Sequence, residues 1–349
     1  MKKQAILNLI RYHSENNDIG FKNQAYAIAD EFLKNGDKDL AHYIMTLLST
    51  TAVLGPMPVS EEPILSSFFE KTDISSDPLF FPDMVIDDLF GVVHAIKRNI
   101  GIHKFLFHGA PGTGKTQGGE LLAKMLRREI YTVNFTNIVD SKLGQTQKNI
   151  QSVFKEINSY AYPSRLLILF DEIDALALDR INANDLREMG RVTSAFLKSI
   201  DTAHKDVVII ATTNLYSQLD KALIRRFDYT VDFNRYKRDD LLDIAQRFLD
   251  IYLSKIKGSN KNIRIFKKIL NLYSNIPYPG DLKNIIKSSL AFSDPDDGYD
   301  YLRRLYFTVC NKKANDIKIL KEQNFTSREI EILSSKSKSS VLQDLRESF

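Results

Sequence analysis

The feature that most constrains the fold is the glycine-rich segment Gly109–Thr116, which follows a short apolar run. The segment reads GAPGTGKT and fits the pattern G-x-x-x-x-G-K-[ST] between a predicted strand and a predicted helix over Gln117–Arg128. Glycines let a backbone wrap so that N–H groups point at a phosphate, and a helix start adds positive charge. We therefore expect a phosphate-binding loop. Its candidate contacts are Gly109, Ala110, Pro111, Gly112, Thr113, Gly114, Lys115, Thr116 and Gln117.

A second apolar run, RLLILFDEID, ends in the acidic pair Asp171 and Glu172. An acid at the carboxyl end of a strand lies in the crevice where α/β sheets bind ligands. In that position Asp171 and the Thr116 hydroxyl suit Mg²⁺, and Lys115 suits the β- and γ-phosphates. Glu172 is placed to orient and deprotonate an attacking water. The alternative, a solvated acidic helix start, fits the acidic letters alone but not their pairing with the loop.

A third apolar run, DVVIIATTN, ends in Asn214, whose amide is suited to contact a γ-phosphate or position a water. Arg225 and Arg226 follow a short helical stretch. Adjacent arginines are usually surface charge, but here we expect them to reach a neighbouring subunit's γ-phosphate and stabilise the developing charge.

Helical stretches alternate with short apolar strands between residues 83 and 235, which predicts an α/β fold with a parallel sheet and helices on both faces. Four further regions flank this domain: a helical N-terminal domain (1–50), a linker or arm (51–82) with five of the ten prolines, an all-helical lid (236–310) and a helical C-terminal tail (311–349). The predicted strands are Lys104–His108, Glu129–Asn134, Arg165–Asp171, Val207–Thr212 and Thr230–Phe233.

Four motifs in this order resemble the AAA+ ATPases, and more narrowly their AAA branch: GAPGTGKT (109–116), LLILFDEIDAL (166–176), ATTN (211–214) and ALIRRFD (222–228). The resemblance covers about residues 84–300. It implies ATP and Mg²⁺ as cofactors, ATP hydrolysis, and a homo-oligomeric ring, with a hexamer favoured, that binds ATP between protomers. It also implies that Asn214 is the first nucleotide sensor and that Arg225 and Arg226 are arginine fingers.

Two positions depart from that family's pattern. Members that thread polypeptide carry an aromatic residue before an apolar–glycine pair in one loop, where this chain has Lys142 before Leu143. In the lid, Lys283 takes the place where related clamp-loader ATPases have a phosphate-contacting arginine. We therefore treat Lys283 as a candidate ATP contact. Lys142 is a candidate contact for an acidic client or nucleic acid, the alternative being a solvated lysine.

Composition places limits on the compartment and partners. The net charge of +4 is too small to indicate nucleic-acid binding by itself. The single cysteine, Cys310, excludes an internal disulfide framework and suits a reducing compartment. The sequence contains no run of 18 apolar residues, so we expect no membrane span. We expect a cytoplasmic protein that does not bind membranes.

The lid and tail leave two interpretations open. Residues 251–280 contain six basic residues and no acidic one. This pattern indicates either a solvated face or a surface that contacts nucleic acid or an acidic N-terminal domain. The tail resembles a helix-turn-helix, with Thr326 and Glu329 at capping-box spacing. It is either a protein-docking hairpin or a DNA contact.

The expected function is an ATP-driven motor or switch acting on a protein client. The overall plan resembles small bacterial AAA ATPases, some of which are paired with a subtilisin-like protease in antiphage modules, and such a protease is therefore a candidate partner. The alternative is an ATP-switched regulator that binds DNA through the tail.

Overall fold

The computed structural model describes residues 3–15, 18–34, 37, 41, 44, 65–73, 79–134, 138, 145–176, 183–256 and 258–347. The residues outside these ranges include Lys142, most of the predicted N-terminal domain after residue 34, and the linker residues Pro56, Pro58, Pro63 and Pro78.

Within the described residues, six strands form one sheet in the order β1-β3-β4-β5-β2-β6. Strands β2 to β6 are parallel, and β1 runs antiparallel to β3. The predicted α/β class is confirmed, and each predicted strand is present with bounds within one residue. The strands are Phe69–Lys71 (β1), Lys104–His108 (β2), Glu129–Asn134 (β3), Leu166–Asp171 (β4), Val208–Thr213 (β5) and Tyr229–Asp232 (β6).

Helices cover both faces of the sheet because alternate strand residues point to opposite sides. In β4, Ile168 and Phe170 pack in the layer of the helices over 145–159 and 183–201, whereas Leu167 and Leu169 pack in the layer of the helices over 83–97 and 115–126. Up to β6, the α-helices whose bounds lie within the described residues are Lys3–Ser14 (α1), Asp18–Lys34 (α2), Asp83–Lys97 (α3), Lys115–Leu126 (α4), Gln145–Ser159 (α5), Ala183–Asp201 (α6) and Lys221–Ile224 (α7).

The strand β1 was not predicted, because it comes from the proline-containing linker. Residues Phe69–Lys71 pair with β3, and the Thr72 and Thr132 hydroxyls lie 2.6 Å apart. The Ser66 amide also donates to the Glu156 carboxylate at 2.9 Å. This part of the linker is therefore an edge strand of the α/β domain's own sheet.

Two adjacent aromatic residues of the linker fill different cores. Phe80 is buried among the lid helices, with its ring edge-on to Phe248 at 5.3 Å and the Arg247 guanidinium above it. Phe81 is buried against the sheet, edge-on to Phe233 at 6.0 Å. The linker thereby joins the lid to the α/β domain immediately before α3.

The helices of the lid and the tail share one hydrophobic core. Ile317, Phe325, Ile330 and Val341 of the tail are buried in the same cluster as the lid residues. The predicted boundary at residue 310 is therefore not a break in packing. The helices after β6 are Arg238–Leu253 (α8), Ile263–Leu270 (α9), Pro279–Ala291 (α10), Asp300–Cys310 (α11), Ile317–Glu322 (α12), Ser327–Ser334 (α13) and Lys338–Glu347 (α14).

A buried carboxylate joins the tail to the basic part of the lid. Glu329 forms the expected capping box with Thr326 and pairs with Lys268 at 2.7 Å and Arg264 at 3.0 Å. Lys261 and Lys267 pair in turn with Asp250 and Asp243 of α8. Four of the basic residues that suggested a nucleic-acid surface therefore have carboxylate partners within the helical domain.

Burial alone raises the pKa of Glu329, but hydrogen bonds from Lys268 and Thr326 outweigh it and lower the pKa overall. We expect Glu329→Gln to lower the free energy of tail opening by about 2 kcal/mol at pH 7, because hydrogen bonds to a charged group are lost. Stability from a lowered pKa is present above the unfolded-state value and is lost as the pH falls through the folded one. The parent protein and the Glu329→Gln variant should therefore have similar free energies of tail opening in acid. Amide hydrogen exchange over 327–334 measures the opening.

The matched control is Asp243→Asn, which breaks the neighbouring Lys267 pair. Asp243 is 65% exposed, so the expected change is below about 0.5 kcal/mol. Equal effects of the two substitutions, or a difference that persists in acid, contradict the assigned role of Glu329.

In the N-terminal region, α1 and α2 pack together and bury Ala25, Ile28 and Ala29 of α2. Ile6 and Ile10 of α1 remain exposed. None of the helices in the described part of the chain has the length and apolar character needed to cross a bilayer.

Candidate functional site

The phosphate-binding loop connects the carboxyl end of β2 to the start of α4. Gly114, with φ +93°, lies directly before the helix, and a Cβ there would meet the Phe81 ring at 2.8 Å. Only glycine satisfies both the left-handed backbone and the close ring. The helix α4 therefore begins directly at the end of the loop. Its first backbone amides, from Lys115 onward, lie at the loop, where the start of a helix attracts anions.

Lys115 lies inside the loop and is 8% exposed. Its ammonium donates to the carbonyls of Gly109 at 2.8 Å and Ala110 at 3.0 Å, and to Asn214 Oδ1 at 2.7 Å. Burial lowers the pKa of Lys115, while the nearby Asp174, Asp171 and Glu172 carboxylates act in the opposite direction. The structure thus brings together the two predicted γ-phosphate contacts, Lys115 and Asn214.

Thr116 and Asp171 meet as the sequence predicted. The Thr116 hydroxyl donates to Asp171 Oδ1 at 3.1 Å. A hydroxyl and a carboxylate beside a phosphate loop match the oxygen ligands that Mg²⁺ prefers. These two residues therefore fit a Mg²⁺ ion held jointly with nucleotide phosphates.

Glu172 follows Asp171 with an unusual backbone. Its φ of +54° is in the left-handed region, and its amide donates to the Thr212 hydroxyl at 2.9 Å. Its side chain is exposed at the carboxyl edge of the sheet. This position suits the predicted contact with water, which remains a prediction.

Three polar residues that the sequence did not single out support the predicted ones. Thr213 donates to Asp174, which also accepts the Asn214 amide at 3.0 Å, while Thr212 donates to Asp171 at 2.6 Å. Asp174 thus fixes the backbone of Asn214 beside Lys115. Two hydroxyls ending an otherwise apolar strand, opposite an Asp-x-x-Asp spacing, were the signal available in the sequence.

Arg225 and Arg226 lie near the opposite edge of the sheet. They precede Asp228, whose amide donates to the carbonyl of Lys104, the first residue of β2. The loop follows the last residue of β2, so about 13 Å of strand separates the two edges. Arg226 forms an ion pair with Asp201 at 2.9 Å, and Arg225 is exposed. The structure therefore does not bring the arginines to the phosphate loop of their own chain.

The lid contacts the loop directly. The Gly280 amide, in the first turn of α10, donates to the Gly112 carbonyl at 2.9 Å, and a Cβ on Gly280 would meet Gly112 Cα at the same distance. The Tyr236 hydroxyl donates to the Thr113 carbonyl at 2.8 Å. Lys283 lies one turn further along α10 and is partly exposed, and its contact with ATP remains a prediction.

Comparison with known proteins agrees with this geometry. Residues 105–235 match the family model for the ATPase family associated with various cellular activities (AAA). The uncharacterized AAA family ATPase y4kL of Sinorhizobium fredii is 37% identical over 132 residues, which cover 38% of this chain and 39% of the relative. A putative 26S proteasome regulatory subunit homolog of Methanothermobacter thermautotrophicus is 35% identical over 153 residues, covering 43% of this chain and 40% of the relative.

The crystal structure of the FIGL-1 AAA domain in complex with ADP is similar in fold, with a TM-score of 0.50 and 19% identity. The similarity covers 68% of this chain and 86% of that one. The chain spans about two fifths of the length of the two curated relatives it matches. The match to the AAA family model is limited to residues 105–235 of the chain.

Proposed function

We propose that this chain is an ATPase that works as a homo-oligomer, with a hexameric ring favoured, and uses ATP hydrolysis to remodel a protein client. This proposal is supported by the way the site residues are divided between the two edges of the sheet. Lys115, Thr116, Asp171, Glu172 and Asn214 share the carboxyl edge with the phosphate loop. The two arginines needed to complete such a site are at the other edge.

In this mechanism the loop amides and Lys115 bind the β- and γ-phosphates of ATP. Thr116 and Asp171 hold Mg²⁺, which when bound neutralises charge on the phosphates. Glu172 accepts a proton from the attacking water, and Asn214 orients that water or the γ-phosphate. Asp174 keeps Asn214 in place through its backbone amide.

Arg225 and Arg226 act on the nucleotide of a neighbouring chain. Because the strand length separates them from their own loop, their charge is useful only where a second copy's carboxyl edge faces them. A guanidinium at the γ-phosphate stabilises the charge of the transition state. Hydrolysis then requires assembly.

The client that we propose is a protein. One relative is named as a proteasome regulatory subunit homolog, which is a protein-directed role for that relative. A subtilisin-like protease in bacterial antiphage defence is the specific partner suggested by the resemblance of the overall plan. The DNA alternative gains no support from the tail, since its apolar residues pack in the lid core and its Glu329 pairs with the basic lid residues.

The test is ATP turnover measured across protein concentrations, with sedimentation analysis of the same samples. We expect turnover per chain to rise steeply as the oligomer forms, and full activity to coincide with the assembled species. A monomer that hydrolyses ATP at the full rate contradicts the assembly requirement. An assembled protein that binds ATP without turnover contradicts the proposed activity.

A further inference from the structure

Thr212 is a buried polar residue at the end of β5, 1% exposed, between the apolar part of the strand and Asn214. Burying a hydroxyl is unfavourable unless it is hydrogen-bonded. Its two partners are the two adjacent residues to which the proposed hydrolysis assigns the metal and the water.

Chemistry fixes the direction of both hydrogen bonds. The carboxylate of Asp171 can only accept, so the Thr212 hydroxyl donates its single proton to Oδ1 at 2.6 Å. The amide of Glu172 can only donate, so it bonds to the Thr212 oxygen at 2.9 Å. One hydroxyl thereby connects the side chain of Asp171 to the backbone of Glu172.

The bond to Asp171 orients its carboxylate. Thr116 and Thr212 both donate to Oδ1, at 3.1 Å and 2.6 Å. Among the described residues, the hydrogen bonds to this carboxylate all reach Oδ1, so Oδ2 has no hydrogen-bond donor there. Partners behind a metal ligand commonly determine its orientation and affinity.

The bond to Glu172 supports a strained turn. A φ of +54° is sparsely populated for a residue that is not glycine, and such a conformation persists only when its surroundings hold it. The Thr212 hydroxyl accepts the amide at this turn. The position of the Glu172 side chain therefore depends on it.

We propose that Thr212 is a positioning residue for ATP hydrolysis, which sets the Asp171 carboxylate and the Glu172 turn together through one hydroxyl. This rests on the proposed function of the site. Thr213, its neighbour, serves the other carboxylate, Asp174, so the two hydroxyls have separate roles.

The test compares Thr212→Val, which keeps the shape and removes the hydroxyl, with Thr212→Ser, which keeps the hydroxyl. Thr132→Val is the matched control, because it removes a hydroxyl from the same sheet that bonds only to Thr72 among the described residues. Each protein is assayed for kcat, for the Kd of a non-hydrolysable ATP analogue with and without Mg²⁺, and for melting temperature.

For Thr212→Val we expect kcat to fall about tenfold or more and the gain in analogue affinity on adding Mg²⁺ to shrink by about tenfold. The Kd without Mg²⁺ should stay within about twofold, since the loop is unchanged, and Thr212→Ser should recover most of both losses. The Thr132→Val protein should match the parent protein.

Three results overturn the inference while leaving the proposed function intact, provided that the parent protein hydrolyses ATP. These are unchanged kcat and Mg²⁺ dependence in Thr212→Val, no recovery in Thr212→Ser, or an equal loss of analogue affinity with and without Mg²⁺. A parent protein that binds the analogue but never hydrolyses ATP overturns the proposed function itself, and this inference with it.

Discussion

Replacing Glu172 with Gln is expected to reduce ATP turnover by about 10²- to 10⁴-fold while ATP remains bound, because the amide has the same shape but cannot accept a proton. The backbone of the variant keeps its bond to Thr212, and Lys115, Thr116 and Asp171 are untouched. Phosphate release measures the turnover. Chromatography of the nucleotide that co-purifies with the protein measures retention, and should give ATP rather than ADP.

A matched control for this substitution is Glu70→Gln. Glu70 is exposed on β1, at the edge of the sheet away from the loop. The substitution Glu70→Gln makes the same change of charge and should leave turnover within about twofold of the parent protein. Undiminished hydrolysis by Glu172→Gln would remove Glu172 from the mechanism. A variant that no longer retains ATP would assign it to binding instead.

The residues of the site that sequence reasoning found are those whose roles depend on local order. The loop lies between one strand and one helix, and Asp171, Glu172 and Asn214 directly end or follow strands. Parallel strands bring their carboxyl ends to one edge of the sheet. Knowing that a residue directly ends or follows a strand is therefore enough to predict that these side chains lie together. Their hydrogen bonds agree with that expectation.

The residues that it missed depend on register between distant segments. Thr212 meets Asp171 only because Ala211 lies opposite Phe170 in the β4–β5 pair, and periodicity does not contain this information. The strand β1 is three residues long, too short for alternation to be detected. In the linker, Phe80 and Phe81 look alike but are buried in different cores.

The tail illustrates the same limit. The capping box of Thr326 and Glu329 was predictable, because its two residues are three positions apart. The pairing of Glu329 with Lys268 and Arg264 was not, because it joins segments about sixty positions apart. Local signals thus identified the helix correctly but left open whether the tail docks on protein or contacts DNA.

Replacing Arg225 with Ala is expected to lower kcat by about a hundredfold or more without changing ATP affinity, because a transition-state arginine contributes about 10³- to 10⁵-fold in kcat. Arg225→Lys should recover little, since an ammonium lacks the planar fork of donors. Arg226→Ala should also slow turnover. It additionally breaks an ion pair with Asp201 whose partners are 40% and 44% exposed, which contributes at most about 1 kcal/mol to stability.

Lys221→Ala is the control for loss of positive charge, since Lys221 is exposed at the start of the same short helix, α7. It should leave kcat unchanged. The position of Arg225 near the edge opposite its own loop leads to a stronger test, in which two inactive proteins are mixed.

Arg225→Ala chains keep a complete phosphate site and lack the arginine, whereas Glu172→Gln chains keep the arginine and lack the base. In a random oligomer made from equal amounts, about a quarter of the sites combine an intact carboxyl edge with a neighbour's intact arginine. Turnover should therefore reappear on mixing, and only at concentrations where the oligomer forms. If the mixture stays as inactive as its two components although it assembles, Arg225 acts within its own chain, and the separation of the two edges must close in some other conformation.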